Sequence, residues 1–334
     1  MHHTPRRYRN KPPHIFVWLL LGAQLLMAHA FAQSENWPTR PLKLIVPYAA
    51  GGSTDIVGRT FAQKITEATG HSIVVENRGG AAGSVATALY AKSAMDDHTF
   101  LMVTVGQLSI NQWIYKSLGY DPEADLQPVG LVGQVANVMV VNPSAPWKTA
   151  RELFDYGRAN PEKLNFASAG IGSTGHLLNE LIATRLGMKL VHIPYKGNGP
   201  AMQALLANEV QFNTENMPQL LPQIRAGALR PLAVSSEKRW FQLPDVPTFA
   251  ELGYPEITTM VWFGVVAHAK MPKPIINKLN REMVQVIKRP DVTARFRELS
   301  MENITSTPEE MLALARRERT RWQKIAIDSG ARAD

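Results

Sequence analysis

Two turns in the sequence combine glycine with hydroxyl side chains, and each directly follows a predicted strand. They span residues 48–55, which read YAAGGSTD, and residues 168–176, which read SAGIGSTGH. A helical pattern follows each turn. The first N–H groups of a helix have no intrahelical partner, and the helix dipole adds about half a positive charge there. Such turns predict a site for a carboxylate or a phosphate that needs neither arginine nor lysine.

The groups predicted to surround this anion are main-chain amides, hydroxyls, one imidazole and one carboxylate. They belong to Tyr48, Ala49, Gly51, Gly52, Ser53, Thr54, Asp55, Ser168, Gly170, Gly172, Ser173, Thr174 and His176. Asp55 either caps its helix or orders water beside the ligand. His176 either points at the ligand or is a polar residue at a helix start. Either turn alone is typical of an ordinary connection between a strand and a helix. Their paired occurrence favours binding.

The spacing of the same residues does not match the motifs of the enzymes that they partly resemble. Residues 170–175 satisfy the G-x-G-x-x-G pattern of dinucleotide folds, but no acidic residue follows the next strand, at 192–195. A serine hydrolase would need glycine two positions before Ser173, where Ile171 stands. The chain has no cysteine, and no His-x-His or His-x-x-x-His pair occurs after residue 32. We therefore predict no enzyme, no cofactor and no metal.

The elements around these turns alternate between short apolar strands and helices, which indicates an α/β fold with parallel strands. The predicted strands are 42–47, 73–76, 100–104, 164–167, 190–193, 210–214 and 232–234. Two further apolar stretches, 134–143 and 260–267, are interpreted as crossings between two lobes. The first lobe is then 33–136 together with 260–334, and the second is 137–259.

The first 32 residues have the pattern of a secretory signal peptide. Arg6, Arg7, Arg9 and Lys11 precede an apolar run at 15–27, and small residues follow up to the preferred cleavage site after Ala32. Removing this segment lowers the net charge from +8 to +4, because it carries four basic residues and no acidic one. A charge of +4 suits attraction of anionic solutes and does not indicate nucleic-acid binding. We expect a soluble, exported protein in the periplasm.

At the level of motifs, the chain resembles the Bug-type receptors of tripartite tricarboxylate transporters. The matching segments occur in order along the mature chain, at 37–41, 45–55, 75–83, 120–122, 167–170, 193–197, 243–248 and 262–264. Two positions depart from the family pattern. Ala50 stands where proline is frequent, and the segment 213–216, NTEN, stands where an aspartate is common. The second departure is expected to alter contacts with the far end of the ligand.

The resemblance implies a two-lobe periplasmic-binding-protein fold of the type II class, each lobe a mostly parallel sheet flanked by helices, joined by a two-crossing hinge. It also implies that the two turns hold one carboxylate, partly through bridging water, and that Gly83, Ser84, Thr104 and Tyr195 line the same cleft. Lobe closure would present a surface to membrane permease subunits, and we expect a monomer. The resemblance does not identify the ligand, which could be a dicarboxylate, a tricarboxylate, an acidic amino acid or an aromatic acid. The alternatives are a receptor that reports ligand to a sensor protein and a secreted hydrolase.

Overall fold

The computed structural model describes residues 37–333, and the predicted signal peptide lies outside the described residues. Residues from Arg40 onward form one compact unit. The strands are β1 (Leu42–Val46), β2 (Ile73–Asn77), β3 (Thr99–Thr104), β4 (Leu126–Val141), β5 (Asn165–Ser168), β6 (Val191–Pro194), β7 (Phe212–Asn216), β8 (Arg230–Val234) and β9 (Met260–His268).

The helices are α1 (Ser53–Thr69), α2 (Ser84–Lys92), α3 (Asn111–Ile114), α4 (Ala150–Ala159), α5 (Thr174–Leu186), α6 (Asn198–Leu206), α7 (Met217–Arg225), α8 (Lys273–Ile287), α9 (Pro290–Glu298) and α10 (Pro308–Ser329). A π-helical turn, Gly106–Ile110, precedes α3, and 3₁₀ turns span Ala81–Gly83 and Pro255–Ile257. In this part of the chain no helix is long and apolar enough to cross a bilayer.

Local sequence accounts for where these helices begin and end. Helix α1 buries Val57, Phe61 and Ile65 along one face, and Gly70 ends it in the left-handed conformation, with its N–H donating to the Thr66 carbonyl. Helix α5 ends in the same way at Gly187. Helix α1 begins at Ser53 and α5 at Thr174, each within its glycine-rich turn, so both predicted helices are present.

The strands form one mixed sheet in the order β2-β1-β3-β9-β4-β7-β5-β6, with β8 also paired to β4. The α/β class is confirmed. The outer pairs β1–β2, β1–β3, β5–β6 and β5–β7 are parallel. The central pairs, which involve β4 and β9, are antiparallel. The centre is antiparallel because the chain leaves the first half of the sheet along β4 and returns to it along β9.

Strand β4 belongs to both halves of the sheet. Its residues from Leu126 to Ala136 pair with β9, those from Asn137 to Val141 pair with β7, and those from Val138 to Val141 also pair with β8. The partner therefore changes between Ala136 and Asn137. We use "first half" for β1, β2, β3, β9 and their helices, and "second half" for β5, β6, β7, β8 and theirs. Each half has buried apolar side chains of its own, such as Leu101 and Ile65 in the first and Phe166 and Phe212 in the second.

Candidate functional site

A polar cavity lies at the carboxyl ends of the strands, between the two halves of the sheet. Its lining consists of small, hydroxyl and amide side chains with one carboxyl group: Tyr48, Ala49, Gly52, Ser53, Thr54, Thr104, Ala169, Ser173, Thr174, Asn198, Glu215 and Asn216. Its volume is about 20 Å³, which is room for about one water molecule. The space left between the two halves is therefore small.

The rim of the cavity brings residues of the two halves together. The Tyr115 hydroxyl, in the first half, donates a 2.6 Å hydrogen bond to the Ile171 carbonyl in the second. A Cβ atom placed on Gly197 would lie 3.4 Å from the Ala49 Cβ. The two halves therefore touch each other at the rim of the cavity.

Four helices begin at this cavity. Its lining includes the first residues of α1 and α5, the first residue of α6 and the residue that precedes α7, which are Ser53, Thr174, Asn198 and Asn216. Because the positive ends of four helix dipoles meet there, the site favours an anion. Among the described residues that line it, none is lysine, arginine or histidine.

The first turn is held in shape by Asp55. Its Oδ2 accepts a hydrogen bond of 2.9 Å from the Gly51 N–H, and its Oδ1 accepts bonds of 2.9 Å from Asn77 Nδ2 and from Arg59 Nε. Burial alone would raise the pKa of Asp55, but these hydrogen bonds outweigh burial and hold its pKa below the usual value. The hydrogen bond between the Gly51 N–H and the Asp55 carboxylate thus leaves neither of these groups free for a ligand.

Gln107 supports the opposite side of the same turn. Its Nε2 donates to the Tyr48 hydroxyl at 2.9 Å and to the Ala82 carbonyl at 2.8 Å. Its Oε1 accepts from the main-chain N–H of Thr104 at 2.8 Å and from the Thr104 hydroxyl at 3.1 Å. Gln107 lies in the π-helical turn, a distortion that is frequent at functional sites. It therefore fixes two residues of the cavity wall without lining the cavity.

The second turn also uses most of its polar groups internally. The Ser173 hydroxyl caps α5 by accepting from the His176 N–H, and the Gly172 N–H donates to His176 Nδ1 at 3.1 Å. The Ser168 hydroxyl lies 2.6 Å from His192 Nε2. Burial, with a smaller effect from His176, lowers the pKa of His192 to about 3, so this imidazole is neutral at physiological pH. Of the two readings of His176, its contacts fit the structural one.

The structure brings part of the predicted set to the cavity. Eight of the predicted residues line it: Tyr48, Ala49, Gly52, Ser53, Thr54, Thr104, Ser173 and Thr174. The others lie beside it or behind it: Gly51, Asp55, Gly83, Ser84, Ser168, Gly170, Gly172, His176 and Tyr195.

Two of the residues outside the lining have clear structural roles. Gly83 leaves room for Gln107, because a Cβ atom there would lie 2.2 Å from Gln107 Nε2. The Ser84 hydroxyl accepts a hydrogen bond of 2.8 Å from Asn111.

Four lining residues were absent from the predicted set: Ala169, Asn198, Glu215 and Asn216. Ala169 lies inside the second turn, so the spacing could have included it. Asn198 follows the predicted strand at 190–193 in a glycine-rich segment, which has the composition of the two turns already singled out. Glu215 and Asn216 end β7, in the segment 213–216 that departs from the family pattern.

The Ser53 hydroxyl is the clearest candidate for direct ligand contact. It is 1% exposed, and its Oγ has no hydrogen-bond partner among residues 37–333. Buried hydroxyl groups are normally hydrogen-bonded, so an orphan at a helix start in a polar cavity fits a group reserved for a ligand.

The chain is similar to proteins of a known transporter family. Residues 57–330 match the model of the tripartite tricarboxylate transporter family receptor. The chain belongs to this family. Protein BugT of Bordetella pertussis is 37% identical over 300 residues, which cover 90% of this chain and 92% of BugT. Members of this family are periplasmic solute-binding receptors and not enzymes, so the prediction that the protein is not an enzyme is confirmed.

Solved structures of family members have the same fold. The periplasmic binding protein BugD superposes with a TM-score of 0.84 at 33% identity, over 89% of this chain and 100% of BugD. The two-lobe periplasmic-binding-protein fold is thereby confirmed. Rpa4515 of R. palustris, solved with adipate, gives a TM-score of 0.86 at 36% identity, over 89% of this chain and 99% of that one. MatC of Rhodopseudomonas palustris, solved with bound malate, gives 0.82 at 29% identity, over 87% and 100%.

Proposed function

We propose that this receptor binds one carboxylate group of a small organic acid in the cavity between its two halves. The main-chain amides at the helix starts and the hydroxyls of Ser53 and Thr54 hold the carboxylate, and water bridges part of the contact. The observation that carries the proposal is the meeting of four helix starts in one cavity whose described lining has no basic side chain. That two related receptors were solved with adipate and with malate supports the same ligand class.

Closure of the two halves is part of the proposed binding event. The hinge lies at the proposed boundaries, 136/137 and 259/260, where β4 changes partner and β9 begins. A carboxylate that contacts α1 from one half and α5 from the other stabilises the closed form, because it contacts both only there. Closure then creates the surface that membrane permease subunits recognise.

The chain is proposed to act in the periplasm after removal of residues 1–32. Transport is the preferred role, because the family is named for its transporter. The alternative role is to report ligand to a sensor protein. Permease genes adjacent to the gene of this protein would favour transport, and an adjacent sensor-kinase gene would favour reporting.

The test is a thermal-shift series on the mature protein with aliphatic and aromatic acids. Each acid is paired with its primary amide, which has nearly the same shape and lacks the charge. A ligand that binds only the folded state stabilises it by about 2.7 kcal/mol at 100 times its Kd. We expect the acids of the bound class to raise the melting temperature and their amides to leave it unchanged. Equal shifts by acid and amide would contradict the carboxylate site.

A further inference from the structure

Glu215 is the one acidic residue among the described residues that line the cavity, and no basic residue lines it. The side chain is 2% exposed. Its Oε1 accepts a hydrogen bond of 3.1 Å from the Asn216 N–H, and its Oε2 has no partner among the described residues. A buried, unpaired carboxyl group in a site for anions needs an explanation, because it opposes the binding of a second negative charge.

The space that Glu215 occupies is built for it. A Cβ atom at Gly175 would lie 2.8 Å from Glu215 Oε2 and 3.0 Å from the Thr214 carbonyl oxygen. Any larger residue at 175 would therefore displace this carboxyl group from the first turn of α5. The third glycine of the G-x-G-x-x-G pattern thus serves an internal acid here, not a nucleotide.

Two neighbouring residues present acceptors of the same kind. Asn216 Oδ1 and Gln219 Oε1 are also buried without a hydrogen-bond partner in the described part of the chain. The Gln219 amide is oriented by its Nε2, which donates to the Asn198 carbonyl at 2.8 Å. The cavity wall at the end of β7 therefore carries two acceptor atoms that lack donors, Glu215 Oε2 and Asn216 Oδ1, whereas Gln219 is not among the lining residues.

The facing wall has the opposite character. It includes the start of α1, where the first main-chain N–H groups and the Ser53 hydroxyl are available to donate hydrogen bonds to a ligand. Burial is the main cause of the raised pKa of Tyr48, which precedes α1. The negative charge of Glu215 also raises it, so Glu215 is close enough to act on this wall. A ligand that satisfies both walls needs a carboxylate at one end of a short span and a strong hydrogen-bond donor at the other.

We propose that the ligand is a small amino acid, whose carboxylate is held at the start of α1 and whose ammonium group is held by Glu215 and Asn216. This assignment rests on the proposed carboxylate site and narrows its ligand class. An ammonium group brings donors for both free acceptors of the wall, and its charge neutralises Glu215. A dicarboxylate of the same length would place a second negative charge beside Glu215. Glu215 is therefore the residue that selects between these two classes.

The ionisation of Glu215 agrees with this assignment. Burial raises its pKa to about 7, and the hydrogen bond from Asn216 opposes this rise only in part. The carboxyl group thus lacks the positive partner that would lower its pKa, and an ammonium group supplies one.

The experiment measures binding of three four-carbon acids to the mature wild-type protein by calorimetry at pH 8. Aspartate, malate and succinate have the same backbone and differ in one substituent: ammonium, hydroxyl or hydrogen. Alanine against propionate and 4-aminobutyrate against butyrate repeat the comparison without a second carboxylate. In the length that binds best, we expect the amino acid to bind at least tenfold more tightly than the acid without the amino group. Equal binding, or tighter binding of malate or succinate, overturns the inference while leaving the carboxylate site intact.

The variant Glu215→Gln tests the assigned residue. It keeps the size of the side chain and removes its charge, so the preference for the amino acid should fall at least tenfold. The matched control is Glu67→Gln, at an exposed position of α1, which should keep the wild-type preference. An unchanged preference in Glu215→Gln overturns the role of Glu215. The wild-type comparison needs no variant, so it decides the ligand class even if this variant folds poorly. Failure of every carboxylate to bind would overturn the proposed function itself, and this inference with it.

Discussion

Asp55 accepts a hydrogen bond of 2.9 Å from the main-chain N–H of Gly51, four residues before it. Gly51 has a φ of 83°, in the left-handed region, so the turn depends on glycine at this position. Asp55 is buried, and its negative charge also holds Asn77 and Arg59. The turn that starts α1 is therefore fixed by an acid that does not line the cavity.

The substitution Asp55→Asn should lower both stability and affinity. It keeps the size of the side chain but removes the charge, and hydrogen bonds to charged groups contribute roughly 1.5 to 3 kcal/mol each. We expect the free energy of unfolding to fall by about 1 to 3 kcal/mol, and the affinity for the ligand to fall because the turn loosens. Urea unfolding and calorimetry measure the two effects. Glu67→Gln on the same helix is the control: it weakens only exposed contacts with Gln63 and Lys64, so stability should change far less than in Asp55→Asn and affinity should not change. Loss of affinity with unchanged stability would mean that Asp55 contacts the ligand.

Replacement by alanine should reduce ligand affinity at Ser53 and protein stability at Ser173. Ser53→Ala removes no hydrogen bond of the ligand-free protein, so its stability should not fall, whereas affinity should drop by roughly tenfold or more because a hydroxyl bond to a charged group is lost. Ser173→Ala removes the cap of α5 and should cost about 1 kcal/mol of stability. Thermal unfolding and titration calorimetry on both variants provide the comparison. A loss of stability in Ser53→Ala equal to that in Ser173→Ala would show that Ser53 has a structural partner.

Two substitutions at Gly52 separate charge from size. A Cβ atom there would lie 3.7 Å from the Ala49 carbonyl oxygen and 3.9 Å from the Asn198 Cβ, which are ordinary contacts. Gly52→Ala should therefore fold and lose little affinity. Gly52→Asp adds a negative charge at the start of α1 and should abolish carboxylate binding while the protein stays folded. Circular dichroism checks the fold and calorimetry the binding. Similar affinities of the two variants would exclude an anion at this turn.

Glu215→Gln should change how stability depends on pH. The pKa of Glu215 is raised from 4.5 to about 7 in the folded protein. The folded state therefore holds this proton more tightly than the unfolded state, and the resulting stabilisation is full below pH 4.5 and lost as the pH rises to 7. A shift of this size corresponds to about 3 kcal/mol. Between pH 4.5 and 8, ligand-free wild-type protein should lose about that much stability relative to Glu215→Gln.

The comparison with the variant is needed because His192 changes stability in the opposite direction. Its pKa is lowered to about 3 when folded, so its contribution is present above pH 6.5 and is lost as the pH falls. The difference between the two unfolding curves cancels His192 and isolates Glu215. Parallel curves for wild type and variant would contradict the raised pKa.

Element order and most helix starts follow from the sequence because they depend on local chemistry. The glycine-rich turns, the apolar face of α1 with Phe61 and the stop at Gly70 are all readable in a single stretch. The mixed centre of the sheet is not readable in this way. Antiparallel pairing of β4 with β9 joins residues such as Leu126 and His268, which lie far apart in the chain.

The same division holds for the cavity. Ser53, Thr54, Ser173 and Thr174 were predictable because each lies at a helix start after a strand. Glu215 was not, since a single acidic residue at a strand end resembles any surface acid until the sheet brings it beside Gly175. Whether a hydroxyl is free or used, as for Ser53 and Ser168, depends on neighbours such as His192 that only the folded chain supplies.

Strand β4 runs without a break through both halves, from Leu126 to Val141, and is hydrogen-bonded along its length. Its pairing is irregular between Pro128 and Gly130, between Leu131 and Gly133, and against β8 between Met139 and Val140. Irregularities of this kind bend and twist a strand. The proposed hinge at 136/137 lies between these irregularities, so opening there would bend β4 without breaking its ladder. Because those backbone hydrogen bonds would not have to re-form on closure, the free energy of the ligand contacts would stabilise the closed arrangement directly.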